Sequence, residues 1–341
     1  MLALRLHGKG DLRLGEEPEP IPTDSTPLIR LGAVGLCGSD RHWYLDGSIG
    51  DSGIDHPLIL GHEAAGVIMS GPRSGQRVAI DPAAVCHRCE FCRIGSSHLC
   101  PGVRFAGHGD IDGALREVMT WPDDTLLPIP DSMTMEEAAL IEPLSVAMHA
   151  VDLGSVPKDA DVGVFGCGPI GLMIVQLCLM AGARSVVALE PLPHRAAAAL
   201  RKGAYVIAGD GSDPIGEIEE ATEGHGLDVV FESAGAQESV DAAISAARRG
   251  GRVVVVGIPS DDRITLHASE ARRKELSIVF SRRSKPMSER AIALVTAGSV
   301  DVQSLVDARY SLRDWQEAFD TLVARSAIKV MINPFDGGGG L

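Results

Sequence analysis

Four of the chain's seven cysteines fall in one window, Cys86, Cys89, Cys92 and Cys100, separated by two, two and seven residues. A single loop can wrap that many thiolates around one tetrahedral ion, and an all-sulfur set leaves no coordination position open. The expected role is structural, with zinc as the ion and an iron–sulfur cluster as the competing reading. Cys37, Cys167 and Cys178 are scattered. The N-terminal residues alternate apolar and polar and then turn acidic and Pro-rich, without the apolar stretch of an export signal. A cytoplasmic protein is expected, in which such a cluster binds metal instead of forming disulfides.

Glycines mark a second kind of chemistry. Gly166, Gly168 and Gly171 form G-x-G-x-x-G, with Pro169 and Ile170 inside it, where the apolar run DVGVF meets a helix-like segment. Such glycines permit a tight turn, close approach of backbone to a pyrophosphate and close helix packing, while the helix N-terminus favours negative charge. Glu190 ends the next apolar run, nineteen positions after Gly171. A carboxylate there accepts hydrogen bonds from the adenosine ribose and repels a 2′-phosphate, so NAD is expected over NADP. Arg195 tempers this, because its guanidinium can stack on adenine, meet a phosphate or lie in solvent.

These motifs need elements to hold them. From Asp161 onward, short apolar runs (DVGVFG, SVVALE, YVI, LDVVFES, RVVVVG, LSIVF) alternate with helical segments (PIGLMIVQLCLMAG, HRAAAALRKG, PIGEIEEATEG, ESVDAAISAARRG). The alternation predicts an α/β doubly wound parallel sheet over 147–280. Before it lie β-rich runs broken by Gly and Pro, with the cysteine window in a long loop near 86–100. After Phe280, PMSERAIALVTAG reads as an amphipathic helix and AIKVMINP as a strand. That segment is too small to stand alone, so 281–341 is expected to join 1–146, with the GGGGL tail disordered.

A chain of 341 residues exceeds what one hydrophobic core usually supports, which again predicts two domains. A formal net charge of −15 disfavours nucleic acid and anionic lipid surfaces and leaves small molecules as the expected partners. The longest apolar stretch, Ile170 to Ala183, is about fourteen residues, interrupted by Gly171, Gln176 and Gly182, and too short to span a bilayer.

From Leu2 to Pro334 the chain resembles the medium-chain zinc-dependent dehydrogenases, within them the sorbitol or polyol branch, which includes idonate dehydrogenases. The resemblance is carried by CGSDRHWYLDGSIG, HPLILGHEAAG, the four-cysteine loop, EPLSVAMHA and VFGCGPIGL, in that order. It implies a GroES-like β-rich catalytic domain and a Rossmann domain. It also implies two zinc ions per chain, NAD, a polyol or sugar-acid substrate and a homo-oligomer, dimer or tetramer. By position, Cys37, His62 and Glu142 look like ligands of a catalytic zinc, and Glu63 like a residue that either binds the zinc directly or holds its water. Asp40 matches a carboxylate expected to hydrogen-bond His62 and fix its tautomer. Ser39 matches the hydroxyl that takes the substrate proton, and His42 the imidazole that passes it toward solvent.

The same resemblance puts Ile170, the turn Val256, Gly257 and Ile258, and Arg282 at the cofactor, and Trp43, Phe105 and Glu142 at the substrate. It implies that zinc acts as a Lewis acid on a secondary hydroxyl while NAD takes the hydride. The branch typically carries Phe-Arg-Tyr after the last Rossmann strand, where this chain has Ser281, Arg282 and Arg283. Arg283 replaces an aromatic with a fixed positive charge, suited to a carboxylate or phosphate on the substrate, or to a carboxylate on the protein surface.

Other functions fit less well. A quinone-oxidoreductase-like or crystallin-like member of the superfamily would lack Cys37, His62 and Glu142, and a nucleotide-sensing regulatory protein would not need Ser39 and His42. Among enzymes the alternative is a threonine or simple secondary-alcohol dehydrogenase, but the loop HWYLDGSIGDSGIDHP matches the polyol branch better.

Overall fold

The computed structural model, which describes residues 1–207 and 213–335, divides the chain into two units. Residues 1–145 and the chain from Lys285 form one, and Val146–Ser284 the other. The GGGGL tail, expected to be disordered, lies outside the described residues. No helix among the described residues is long and apolar enough to cross a membrane.

A strand apolar at nearly every position is stable only where both its faces are covered. Asp161–Phe165 is buried throughout. It lies inside a six-stranded parallel sheet whose order is Tyr205–Ile207, Ser185–Leu189, Asp161–Phe165, Leu227–Glu232, Ala247–Val255, Ser277–Phe280. The strand order reverses between Asp161–Phe165 and Leu227–Glu232, so a crevice for a ligand is expected at their carboxyl ends. Helices Pro169–Met180, Pro193–Arg201, Pro214–Ala221 and Gln237–Ala246 connect the strands.

One helix ends earlier than its sequence suggests. ESVDAAISAARRG reads as helical to its glycine, yet the helix stops at Ala246 and Ala247–Val255 is strand. Ala247 pairs with Leu227, and Arg248 Nε bonds Asp228 Oδ1 at 2.6 Å. These long-range contacts outweigh the helix preference of the Ala and Arg residues in the segment. Residues 281–284 group with this unit and not with the segment after them. Ser281 N–H donates to Val255 O at 2.8 Å, which extends the sheet contact past Phe280.

In the other unit a seven-stranded sheet runs in the order Leu126–Pro128, Arg77–Ile80, Glu63–Ile68, Leu28–Gly35, Lys329–Asn333, Val306–Ser311, with Val118–Thr120 also paired to Leu28–Gly35. The last residues of the chain to be described thus enter the middle of the sheet built by its first third. Gly35 stands opposite both Glu63 and Met331. A Cβ at Gly35 would collide with the Glu63 carboxylate and the Lys329 side chain, so the glycine is what lets those two groups meet beneath the strand.

Candidate active site

Helix Gly38–Asp46 begins immediately after the central strand Leu28–Gly35 and sets the first ligands. Asp40, at its third position, is fully buried and accepts the Cys37 N–H at 2.8 Å and the Gly61 N–H at 3.2 Å. The side chain therefore caps its own helix and ties it to the segment that carries His62 and Glu63. Cys37 Sγ, a His62 ring nitrogen and a Glu63 carboxylate oxygen all lie within 4.8 Å of one another. Burial, reinforced by the charge of Glu63, pushes the Cys37 thiol up to about 12. A partly buried cluster of sulfur, imidazole and carboxylate suits a divalent cation, and this donor set suits zinc.

Two further residues expected at this site lie around the trio. Glu142, in the first turn of helix Ile141–Gly154, is not in the 4.8 Å set. Its carboxyl nonetheless faces the cluster: burial pushes it up to about 8, the His62 charge pulls it down, and Glu63 and Cys37 push it further up. The Asp40 oxygens accept the backbone N–H groups of Cys37 and Gly61, and the link of this carboxylate to the His62 ring is electrostatic. It acts on His62 through the neighbouring Gly61 backbone and through its charge.

Ser39 and His42 stand one helical turn apart, so they share a face of helix Gly38–Asp46. Ser39 Oγ is buried without a hydrogen-bond partner. His42 Nδ1 lies 3.0 Å from Asp46 Oδ2. A carboxylate only accepts, so Nδ1 carries the proton and Nε2 of the neutral ring is left as an acceptor. Phe105 stands against His62 with ring centroids 5.5 Å apart.

The cysteine window folds as expected of a single-ion site. Helix Glu90–Arg93 is capped by Cys89, and the four sulfurs of Cys86, Cys89, Cys92 and Cys100 lie within 4.8 Å of one another. Cys92 Sγ is 3.4 Å from Cys89 Sγ and 4.0 Å from Cys86 Sγ. Zinc–sulfur bonds of about 2.3 Å in a tetrahedron place sulfurs roughly 3.8 Å apart, so the spacing favours one ion over a cluster of several irons. The amides of Arg88 and Cys89 pull the Cys86 thiol down to about 6, while burial and the neighbouring sulfurs push Cys92 up to about 12. Cys89→Ala is expected to melt at lower temperature and to lose about one zinc per chain, because three thiolates do not close the loop. Thermal unfolding with metal analysis tests this, and a normally melting variant with full zinc content would refute it.

In the Val146–Ser284 unit the glycine turn has the geometry of a pyrophosphate cradle. Gly166 adopts φ +89°, and a Cβ there would press on the Ala234 backbone. A Cβ at Gly171 would strike Gly166 O, so the helix Pro169–Met180 can approach the turn only as glycine. Pro169 occupies the first helical turn after Gly168, and Ile170 is half-buried beside it. Glu190 is buried and already engaged: Oε2 accepts Cys167 N–H at 2.7 Å and Oε1 accepts Leu192 N–H at 2.8 Å. It therefore shapes the turn. The Arg195 guanidinium lies beside Gly168. Val256 and Gly257 are half-buried, while Ile258 and Arg282 are exposed. Arg283 is half-buried with φ +51°, a backbone conformation that costs energy for a side chain of its kind.

Comparison with known proteins decides the family. Residues 23–131 match the family model of the alcohol dehydrogenase GroES-like domain, and residues 169–297 that of the zinc-binding dehydrogenase. A sorbitol dehydrogenase from Bacillus subtilis is 35% identical over 98% of this chain and 97% of its own length. The chain belongs to the medium-chain zinc-dependent alcohol dehydrogenases, in the polyol branch. Among solved structures, an Escherichia coli oxidoreductase/dehydrogenase of unknown specificity superposes with a TM-score of 0.91 at 31% identity, covering 97% of this chain and 98% of that one. L-idonate 5-dehydrogenase from Escherichia coli gives 0.89 at 27% identity, covering 97% of both chains.

One expected residue of this dehydrogenase's site lies in the core, and two others were not singled out by sequence. Trp43, expected at the substrate, is 2% exposed and belongs to the hydrophobic core, with its ring edge-on to His108 at 5.5 Å. It anchors helix Gly38–Asp46 and offers almost no surface to a ligand. Asp46 was not singled out, although its place four residues after His42 on one helix face is a signal that spacing carries. Lys329 was missed altogether. It is 2% exposed, pairs with the buried Glu63 carboxylate and donates to Leu36 O at 2.9 Å. Its signal was a lone charge inside the apolar run AIKVMINP.

Proposed function

We infer that this zinc-dependent dehydrogenase transfers hydride from a secondary hydroxyl of a polyol or sugar acid to NAD, giving a ketose or keto acid. The observation that carries the reading is the meeting of Cys37, His62 and Glu63, three candidate ligands within 4.8 Å of one another, in a chain that is 35% identical to a sorbitol dehydrogenase. Zinc bound there supplies Lewis acidity to a hydroxyl. Ser39 Oγ, buried and unbonded, accepts the substrate proton, and His42 Nε2 relays it, with Asp46 holding the ring in the accepting tautomer. Glu142, whose carboxyl burial pushes up and which interacts with His62, Glu63 and Cys37, is assigned to the trio as a ligand or a substrate contact. Cys86, Cys89, Cys92 and Cys100 hold a second, structural zinc.

The glycine turn and Glu190 are assigned to the pyrophosphate and ribose, Arg195 to the adenosine end, and Val256, Gly257, Ile258, Ile170 and Arg282 to the rest of the cofactor. Small molecules and further copies of the chain are the partners, in the cytoplasm. Glu190→Ala is expected to lower the NAD:NADP ratio of kcat/KM roughly tenfold, about 1.4 kcal/mol. It should also cost about 1–3 kcal/mol of stability, since Cys167 N–H and Leu192 N–H lose their acceptor. An unchanged ratio would remove Glu190 from the ribose.

A panel of sugar alcohols and aldonates, read by NAD reduction at fixed zinc, tests the reaction. Failure of every member with zinc-loaded protein would overturn it. Arg283 supports an anionic substrate, because a guanidinium partly removed from water in an unfavourable backbone conformation suggests a use. Arg283→Ala is expected to cost an aldonate about ten- to a hundredfold more in kcat/KM than its neutral polyol. Equal losses on both would assign Arg283 to the cofactor or the fold.

A further inference from the structure

At the carboxyl end of the strand Leu227–Glu232, one acidic side chain is buried with one oxygen only weakly met. Glu232 is 0% exposed. Its Oε1 accepts the N–H groups of Ala234 at 2.8 Å and Gly235 at 2.9 Å, and its main-chain oxygen accepts those of Val256 at 2.7 Å and Gly257 at 3.0 Å. Its Oε2 is buried without a well-formed hydrogen bond, and the carboxylate is met only weakly by Ser239 Oγ, at the start of the helix Gln237–Ala246, and by the Gly257 N–H. Burial pushes this carboxyl up against the pull of its donors, and a carboxylate so fully removed from water is costly, so its retention calls for a reason.

The reason lies in what Glu232 joins. The next residue, Ser233, donates from Oγ to Gly166 O at 2.6 Å and so fastens the same turn to the glycine cradle. On the other side the turns touch backbone to backbone. A Cβ at Gly257 would collide with Gly235 N and come within 2.8 Å of Glu232 Oε2, and one on Gly235, at φ +69°, would strike Ile258 O. Three turns that meet at the ligand end of the sheet are thus held in one arrangement by two consecutive residues.

We propose that Glu232 is a positioning residue for the dinucleotide, whose carboxylate locks the Ala234–Gly235 turn against Val256–Ile258 so that the latter is preset for the nicotinamide half of the cofactor. The proposal rests on the reading of this unit as the NAD-binding domain. It separates the two halves of the cofactor: the adenosine half depends on the glycine turn and Glu190, the nicotinamide half on the turns that Glu232 joins.

The test compares binding of NADH and of 5′-AMP, by fluorescence and calorimetry, to zinc-loaded wild type, Glu232→Ala and Gly257→Ala. Glu232→Ala removes the acceptor of two amides, and Gly257→Ala forces the same two turns apart while leaving the carboxylate in place. Both are expected to weaken NADH about tenfold while changing 5′-AMP less than twofold. Glu232→Gln, which keeps one oxygen for the amides and turns its amide toward Ser239 Oγ, should restore NADH binding to within about threefold of wild type. Equal weakening of NADH and 5′-AMP would mean that Glu232 only stabilises the fold, and unchanged NADH binding in the alanine variants would remove it from cofactor positioning. If Glu232→Ala does not fold, the Gly257→Ala ratio decides in the same way. Wild type that binds neither ligand overturns the NAD-binding reading itself, a result distinct from the other outcomes.

Discussion

His62→Ala and Cys37→Ala should each lose about a thousandfold or more of turnover while keeping nearly the wild-type melting temperature. The size follows from the ligand set. A Lewis acid contributes several kcal/mol to the stabilisation of charge in a reaction of this type, and each 1.36 kcal/mol is tenfold in rate. With either residue gone the remaining donors no longer hold the ion on two fixed sides. The small thermal effect follows from burial: without metal the Cys37 thiol is pushed up to about 12, so it is neutral at ordinary pH, and alanine in its place removes a small apolar group. Steady-state kinetics, metal analysis and thermal unfolding on the same samples check all three parts. Zinc content should fall by about one ion per chain, and the four-cysteine site should retain its own. Full activity in either variant would end the assignment of a catalytic metal to this trio.

The second large effect is on stability. Lys329→Met should destabilise the metal-free protein by about 3–5 kcal/mol, because it leaves the Glu63 carboxylate buried with no opposing charge. Methionine fills much of the volume of the lysine stem, so lost packing contributes little. Two further measurements separate the charge effect from a general one. Zinc should recover part of the loss, since a cation beside Glu63 replaces the missing one, and Glu63→Gln added to Lys329→Met should recover most of it in the absence of metal. Denaturant unfolding with and without zinc provides the comparison. A Lys329→Met variant as stable as the wild type would mean that the pair contributes nothing to the fold. Loss that the second substitution leaves untouched would mean that the lysine acts by packing alone.

The two units differ in how much of their chemistry could be read before folding, and the difference is one of sequence separation. The four cysteines lie within one loop and the glycine motif within one turn, so spacing along the chain nearly equals spacing in space. The parallel sheet was legible for a related reason: strands covered on both faces need unbroken apolar runs, whatever their neighbours. The end of the helix at Ala246 was not, because the pairing of Ala247 with Leu227 and of Arg248 with Asp228 depends on a strand that lies earlier in the chain.

Chain spacing could not assemble the reactive cluster. Cys37 and His62 came to attention only through resemblance, and it is the register of Leu28–Gly35 with Glu63–Ile68, together with the grip of Asp40 on Cys37 and Gly61, that brings them together. Lys329 is separated from its acceptor Leu36 by 293 positions, and a sequence marks it only as an ill-fitting charge in an apolar run. The same holds for Glu190 and Glu232, each of which could be recognised as acidic at a strand end, whereas their partners could not. Local composition by itself determined most of the elements, the cysteine site and the glycine turn, because these are settled by residues near one another in the chain. Which buried charges face each other, and which backbone groups they hold, was decided only by the tertiary structure, because a charge in a dry interior takes its meaning from partners that long-range sheet pairing supplies.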